Sequence, residues 1–550
     1  MTDDTAAPPE RTPVLIVGAG PVGLTLAIVL AHHGVRCAVV ERNATTTRHP
    51  KMDITNGRTM EIFRRLGIAD RVAAAGVPGD ICLDVAWATR LTGHEIHRFA
   101  YPPPDAVRVA YRTLNDGSQS LEPGIRISQV VVEPLLRDVA AASPLISLHY
   151  GWKFLDLDQD GTGVAATVES ADSGEVHIVR SDYMAGCDGG GSRVRQALGI
   201  GLDGEANIRK RYSVHFRSRD KSILEPWGPA WHYQSPVHGT LISQDGRERY
   251  TLHSFAPDGA EPDPYATVRR FVGRDFDFEL LQDPVWFNNL LVAERYRERR
   301  VFLAGDSAHQ YIPTGGYGMN TGIGDAYGLG WMLAAVVAGR GGPGLLDAYE
   351  AERRPVGVRN CAASKRHAEA RMAVGTVWSD ALDAEGPEGD RARAACAKRV
   401  AEIGNAENES WGIELGYRYD GSPVVIAEAG PPPADDPLHY RPTTHPGARV
   451  PAVYLADGAA LFDRFGRGFT LLNFDPGRLD AGSFREAAGR LGIDLAVVDV
   501  DDPHAADLYE RPLVLVRPDE HVAWRGEGLP DDPEAVMRVA AGFAGAGEPA

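Results

Sequence analysis

The segment Pro13 to Arg42, PVLIVGAGPVGLTLAIVLAHHGVRCAVVER, constrains the fold more than any other stretch of the chain. Val14 to Val17 is an apolar run too short for a helix and stops at glycine, the pattern of a strand buried in a parallel sheet. From Pro21 to His33 apolar residues recur at helical spacing, and Gly34 supplies the stop. Val35 to Val40 repeats the strand pattern. Together they predict a βαβ unit with a right-handed crossover. In Gly18-Ala-Gly20-Pro21-Val22-Gly23, Gly18 suits a tight turn, Gly20 lets a pyrophosphate approach the backbone, and Gly23 lets helix and strand pack closely. The helix N-terminus beyond them offers free N–H groups to phosphate. Glu41 closes the second strand 21 residues past Gly20, where a carboxylate reaches ribose hydroxyls. The unit predicts a site for an adenosine-containing dinucleotide. It does not say which one.

Two further motifs narrow the choice. Cys187-Asp188-Gly-Gly-Gly-Ser192-Arg193-Val-Arg195 follows a short strand. Arg300-Val-Phe-Leu-Ala-Gly305-Asp306-Ser-Ala-His309 follows another and runs on through Pro313 and Gly315-Gly-Tyr317-Gly318-Met319-Asn320 to Asp325, where a long helix is expected to start. Asp306 at a strand end can accept from a polyol, and the glycine turn can offer N–H groups to an anion. Taken singly, each aspartate could equally be a turn or helix cap.

In combination the three motifs resemble those of class A flavoprotein monooxygenases, the FAD-dependent aromatic hydroxylases, over about Pro13 to Arg366. The resemblance implies non-covalent FAD, with NAD(P)H docking transiently and leaving. It implies that Glu41 and Arg42 hold the adenosine half and that Asp188 serves both nucleotides. Asp306 and Gln129 would lie along the ribityl chain and pyrophosphate, and Gly318-Met319-Asn320 against the pyrimidine edge. Arg58 is expected at the pyrophosphate or at a helix start. Tyr317 is a candidate pocket contact at a position where relatives often carry Gln, a departure that bears on the pocket and not on flavin binding. No second glycine-rich βαβ unit is present for a resident nicotinamide nucleotide.

The stretch Lys51-Met-Asp53-Ile-Thr-Asn-Gly-Arg58-Thr-Met-Glu61 is similar to the phenol hydroxylase segment in which an aspartate five residues before an arginine helps deprotonate the phenol. A phenolate pushes electron density onto its ortho and para carbons, which then attack a C4a-hydroperoxyflavin; a carboxylate in reach raises the phenolate share. Asp53 is the candidate base, with capping a turn or pairing with Arg58 as the plainer role. Arg217, Trp231, His232, Tyr233, Arg249 and Tyr250 lie on short alternating strands expected to roof a pocket. Among these, Tyr250 is a candidate catalytic partner for a phenolic oxygen, and Arg217, Trp231, Tyr233 and Tyr317 are substrate contacts. Trp227, Trp231 and Tyr233 suggest an aromatic lining for a flat apolar substrate. His309 reads as a structural partner of its turn. The reaction expected is NAD(P)H- and O2-dependent hydroxylation of a phenolic or polycyclic aromatic. Baeyer–Villiger insertion, epoxidation, oxidative decarboxylation and a non-catalytic FAD scaffold stay open.

The expected architecture is α/β: a Rossmann-like FAD-binding unit (13–80, 105–200 and 290–366) after a flexible tail (1–12), and an antiparallel-sheet substrate unit (81–104 and 201–289). A helical connection (367–426) and a proline-rich linker (427–450) lead to a cysteine-free unit (451–550). Its RPDEHVAWR segment resembles the closing hairpin of a thioredoxin-like appendage, although Val453 stands where relatives carry His. Without cysteine this unit cannot exchange thiols. With 57 Lys+Arg against 75 Asp+Glu, a net charge of −18 argues against nucleic acid or anionic membrane as partner. No apolar run reaches the roughly 20 residues of a membrane helix. Five scattered cysteines without a CxxC pair suit a reducing cytoplasm and give no metal framework. A homo-oligomer, a dimer, is expected.

Overall fold

The computed structural model describes residues 6–256 and 261–544. The first five residues of the expected tail and the last six of the chain lie outside the described residues. Strand β1 (Arg11–Val17), helix α1 (Pro21–His32) and strand β2 (Cys37–Glu41) form the expected βαβ unit, with Val14 opposite Cys37 and Val17 opposite Val40. On the other side of β1 lies β3 (Val176–Gly186), parallel to it. β1 starts inside the stretch read as tail because Arg11 and Thr12 pair with Arg180 and Ser181. The hairpin arm and the short strand expected around residues 175–187 are one continuous strand. The parallel core runs Ile146–Tyr150, β2, β1, β3, Val301–Leu303, and an antiparallel meander extends from β3.

Helices α2 (Gly57–Arg65), α3 (Tyr317–Val337) and α4 (Gly344–Gly375) pack around this sheet. α3 begins eight residues before the start expected at Asp325. Gly315 and Gly316 do form a turn before the helix, and the glycines within it are packing positions: a Cβ on Gly322 would stand 2.9 Å from the Gly305 Cα, and one on Gly330 2.5 Å from Val29. Without side chains there, α3 lies directly on α1.

Four strands of the second sheet are antiparallel neighbours: β4 (Leu202–Arg217), β5 (His232–Ser235), β6 (Gly239–Ser243) and β7 (Arg249–Phe255), in the order β4-β7-β6-β5. Strand alternation divides their residues between two faces. Tyr212, Val214, Phe216, Tyr233, Tyr250 and Leu252 form a core with Val268, Phe271 and Val272 of the helix Pro264–Val272. Arg211, Ser213, His215, Thr251 and His253 occupy the alternate positions.

Beyond the linker, Phe469–Asn473 lies between the parallel Leu495–Asp499 and the antiparallel Leu513–Val516, which pairs with Val522–Gly526. Helices Gly482–Leu491, Pro503–Tyr509 and Pro533–Ala540 complete this unit. Among the described residues no helix is long and apolar enough to cross a membrane.

Candidate functional site

The three motifs meet because the strands preceding them are adjacent. β1, β3 and Val301–Leu303 are parallel neighbours, so Gly18, Asp188 and Asp306 all emerge at the carboxyl edge of the sheet, where ligands of open α/β folds bind. The turns interlock there. The Cys187 N–H donates to the Val17 carbonyl at 2.8 Å, and the Ala304 N–H to that of Gly186 at 3.1 Å. Gly18 has φ +106°, and a Cβ on it would stand 2.3 Å from the Cys187 carbonyl oxygen. Only glycine fits that turn.

Positions around this edge suit a dinucleotide with a long polyol arm. A Cβ on Gly20 or on Gly318 would meet nothing within 4 Å, so both backbones border open space. α1 and α3 begin beside these residues with no side chain capping them, leaving N–H groups free for phosphate or a ring carbonyl. Asp306 is exposed, yet the protein around it is close enough that burial raises its pKa, against the pull of His309 and Lys51. A side chain both accessible and hemmed in lies in a cleft. Asp325 braces the turn beneath, accepting from the Gly305 N–H (3.1 Å), from the Arg353 guanidinium (2.8 Å) and from His309 Nε2 (2.8 Å). His309 is thus a partner of the turn, as read from sequence.

At the end of β2, the Glu41 carboxylate accepts from the Ala19 and Asn43 N–H groups, both at 2.9 Å, with Arg42 exposed beside it. Gln129 donates to Glu133 at 2.9 Å. Asp188 accepts from Ser192 Oγ (2.5 Å) and from the N–H groups of Arg193 (2.7 Å) and Val194 (3.2 Å), so it caps the short helix Arg193–Ala197. Asn320 fastens the start of α3, donating to the Ile54 and Gly316 carbonyls and accepting from Asn56 and Thr59. Pro313 is exposed, and Met319 packs on the core's edge.

Asp53 is held between the segments that carry Gln129 and Asn320. The Met52 carbonyl accepts from the Gln129 N–H, and the Ile54 carbonyl from Asn320. The Asp53 carboxylate accepts the Trp231 indole N–H at 2.5 Å, and His232 Nε2 stands 4.0 Å from the same oxygen. Burial pushes the Asp53 pKa up; the nearby Arg126 guanidinium and the indole N–H oppose this. Arg126 lies 5.6 Å from the centroid of the Trp231 ring. Burial lowers its own pKa to about 10. The arrangement is a poorly solvated carboxylate, oriented by one donor, at the junction of the antiparallel sheet and the motif-bearing unit. Such a group is a proton acceptor of raised basicity.

Comparison with known proteins agrees with this geometry. A family described as "FAD binding domain" matches residues 11–364, and one described as "Aromatic-ring hydroxylase, C-terminal" matches 443–546. The chain belongs to the FAD-dependent aromatic-ring hydroxylases. It is 38% identical to the FAD-dependent monooxygenase apdD of Emericella nidulans, over 96% of this chain and 90% of that one. The solved structure of RebC with bound 7-carboxy-K252c superposes with a TM-score of 0.89 at 35% identity, covering 98% of this chain and 100% of that one. That of the flavin-dependent monooxygenase PieE, in complex with FAD and substrate, gives 0.87 at 33%, covering 97% and 98%.

Five sequence expectations for this monooxygenase need correction. Tyr250 is fully buried on the helix-covered face, stacked on Phe216, with its hydroxyl on Glu225 at 3.0 Å, and so cannot meet a substrate from the Asp53 side. Tyr233 shares that face, packs against Trp227 and donates to the Gly228 carbonyl. Arg217 ends β4 in an ion pair with Glu279 at 3.1 Å. Arg58 is the second residue of α2, at the helix start that was one of its two expected places, but it is no phosphate contact: it is buried 3.4 Å from Glu61 and 3.0 Å from Glu520 of the C-terminal unit. The alternative pairing of Asp53 with Arg58 is excluded for the same reason. Tyr317 is buried with its hydroxyl 2.9 Å from His367 Nε2.

Sequence reading missed Arg126, His49, His215, His253, Arg211 and Arg371. Register puts Arg211, His215 and His253 on one face of the sheet, Arg126 lies against the Trp231 ring beside Asp53, and Arg371 is paired with Glu407 at 2.7 Å. Strand parity was the available signal. Tyr212, Val214 and Phe216 mark the core face, which assigns Arg211, Ser213 and His215 to the other.

Proposed function

We propose that the enzyme hydroxylates a phenolic or polycyclic aromatic substrate, using NAD(P)H and O2, with Asp53 as the base that ionises the phenol. The observation that carries the reading is the Asp53 carboxylate, fixed by the Trp231 indole N–H and flanked by segments bonded to Gln129 and Asn320. FAD, when bound and reduced, supplies by reaction with O2 the electrophilic oxygen atom. Asp53 takes the phenolic proton onto a carboxylate oxygen, and the ring's ortho and para carbons gain electron density. Burial favours this transfer because it destabilises the carboxylate anion relative to the acid. Arg126 is placed to balance the charge of whichever oxygen carries it. His232, whose pKa burial and the nearby arginines depress, stays neutral and leaves Asp53 as the titrating partner.

FAD lies in this reading along the open side of Gly18, Gly20, Pro21, Val22 and Gly23. Glu41 and Arg42 take its adenosine half, Asp306 the ribityl hydroxyls, and the free N–H groups at Gly318 the flavin ring. No histidine or cysteine attachment motif accompanies the site, so the cofactor is non-covalent and should leave on acid precipitation. The C-terminal unit is thioredoxin-like on the strength of its strand order, Leu495–Asp499, Phe469–Asn473, Leu513–Val516, Val522–Gly526, with crossing helices. Its role is packing and subunit contact within a homodimer. Five unpaired cysteines fit a reducing cytoplasm.

A panel of phenols and polycyclic hydroxyarenes, scored for stimulated NAD(P)H oxidation and for product gaining one oxygen atom, tests the proposal. Hydroxylated product coupled to NAD(P)H use is expected. Ring-expanded, epoxidised or decarboxylated product, or flavin reduction indifferent to every arene, would overturn it.

A further inference from the structure

Arg211 sits on the face of β4 that carries the site, next to Phe255 across the β4–β7 pair. Its Nε and Nη1 are buried and have no hydrogen-bond partner among the described residues. Its charged neighbours Arg209 and Arg371 are both cations, and with burial they lower its pKa to about 10. Arg211 is half-buried, and the fully buried Arg353 and Arg517, by contrast, stand 2.8 and 2.6 Å from carboxylates. A guanidinium taken out of water among like charges is costly unless an anion completes it.

A second donor is fixed beside it. The Trp286 indole N–H donates to Ser213 Oγ at 2.8 Å, and Ser213 Oγ stands 2.7 Å from His253 Nδ1. The serine proton has an acceptor if Nδ1 is bare, which puts the imidazole proton on Nε2. Burial depresses the His253 pKa to about 3, so the ring is neutral and this tautomer is held. Ser213 lies opposite His253 and Arg211 opposite Phe255, making Arg211 and His253 diagonal neighbours on one face. The Phe255 ring, with its centroid 4.8 Å from the guanidinium carbon, gives Arg211 an aromatic surface to lie on.

We propose that Arg211 and His253 form an anion subsite, and that the aromatic substrate carries a carboxylate at the end remote from the hydroxyl facing Asp53. The proposal rests on the hydroxylase reading for the Asp53 end. Strand register sets the scale. His232 pairs with Ile242, Ile242 with Thr251 and Thr251 with His215, so His232 and β4 are three strand spacings, roughly 14 Å, apart. Arg211 is a further four residues, about 14 Å, along the strand from His215. An elongated substrate of several rings fits that span better than a single ring.

The test titrates oxidised holoenzyme with the three-ring 4″-hydroxy-p-terphenyl-4-carboxylate and with 4-hydroxy-p-terphenyl, reading Kd from the change in flavin absorbance. The parent should bind the carboxylate at least about tenfold more tightly, the scale of a charge-assisted hydrogen bond. Arg211→Gln should bring the two constants to within about twofold, and Arg211→Lys should keep part of the preference. Equal affinities in the parent, or a preference that survives in Arg211→Gln, would overturn the subsite. Binding is measured without turnover, so the two readings fail separately. A carboxylate preference with no hydroxylation of any phenol sinks the Asp53 role alone, and phenol hydroxylation without the preference sinks the subsite alone.

Discussion

Where the hairpin tip Arg517–His521 enters the FAD-binding unit, buried charges meet their opposites; on the site face of the antiparallel sheet, buried polar groups are left open. At the tip, Arg517 binds both oxygens of Glu352, at 2.6 and 2.8 Å, and Asp519 at 2.7 Å. Asp519 takes the Trp331 indole N–H at 3.1 Å, and Glu520 the Tyr327 hydroxyl at 2.7 Å, both from α3. Arg58 and Arg449 close the array on Glu61. Arg517 holds the Asp519 carboxyl far below its usual range. On the sheet face, both ring nitrogens of His232, Gln234 Oε1 and two Arg211 nitrogens have no hydrogen-bond partner among the described residues. Similar burial has opposite meanings in the two places. Completed pairs lock one unit onto another, whereas open donors and acceptors mark where a ligand completes the protein.

Breaking a completed pair should have the largest effect on stability. Arg517→Met strands Glu352 and Asp519 as buried charges, at a cost of about 3–5 kcal/mol. The thermal midpoint, followed by release of flavin fluorescence, should fall by several degrees. An unchanged midpoint would remove the distinction between the two regions. Asp306→Ala touches the cofactor cleft and leaves both regions intact. It should weaken FAD by ~1.5–3 kcal/mol, about 10- to 150-fold in Kd, measured by flavin titration of apoprotein. Full flavin retention would show that the motif was misassigned. The smallest effect is expected at Tyr250, on the covered face. Tyr250→Phe loses one hydrogen bond to Glu225, about 1 kcal/mol, and should leave hydroxylation within twofold of the parent. A large loss of turnover would return Tyr250 to the site.

The βαβ unit and the three motifs were legible because each is local: a short apolar run, a glycine spacing, an aspartate at a strand end. Long-range facts were not. α3 starts at Tyr317 rather than Asp325 because its glycines serve contact with α1, which the chain does not announce locally. Arg58 looked like a phosphate contact until Glu520, more than 460 positions away in the chain, came to meet it. The sheet residues were read by chemical type, and type favoured tyrosines. Alternation would have favoured Arg211, Ser213 and His215, since Tyr212, Val214 and Phe216 already declare which face is core. The helix Pro104–Leu114 went unread, whereas Gly386–Ile403 falls inside the stretch expected as a helical connection.

The role of Asp53 is the centre of the account, and the pH profile of Asp53→Asn against the parent tests it most directly. Burial raises the Asp53 pKa, so the folded protein holds this proton to higher pH than the unfolded chain does. Its ionisation then costs stability as pH rises through the folded value, and the amide removes that cost. The variant should keep its FAD and be at least as stable as the parent at alkaline pH. Hydroxylation in the parent should rise with pH as Asp53 ionises. In Asp53→Asn it should fall by ~10²–10⁴-fold near neutrality, NAD(P)H oxidation should fall less, and hydrogen peroxide should increase. Part of the lost rate should return as pH approaches the substrate's own phenol pKa. Parent-like hydroxylation with unchanged coupling, or loss of FAD from the variant, would contradict the account.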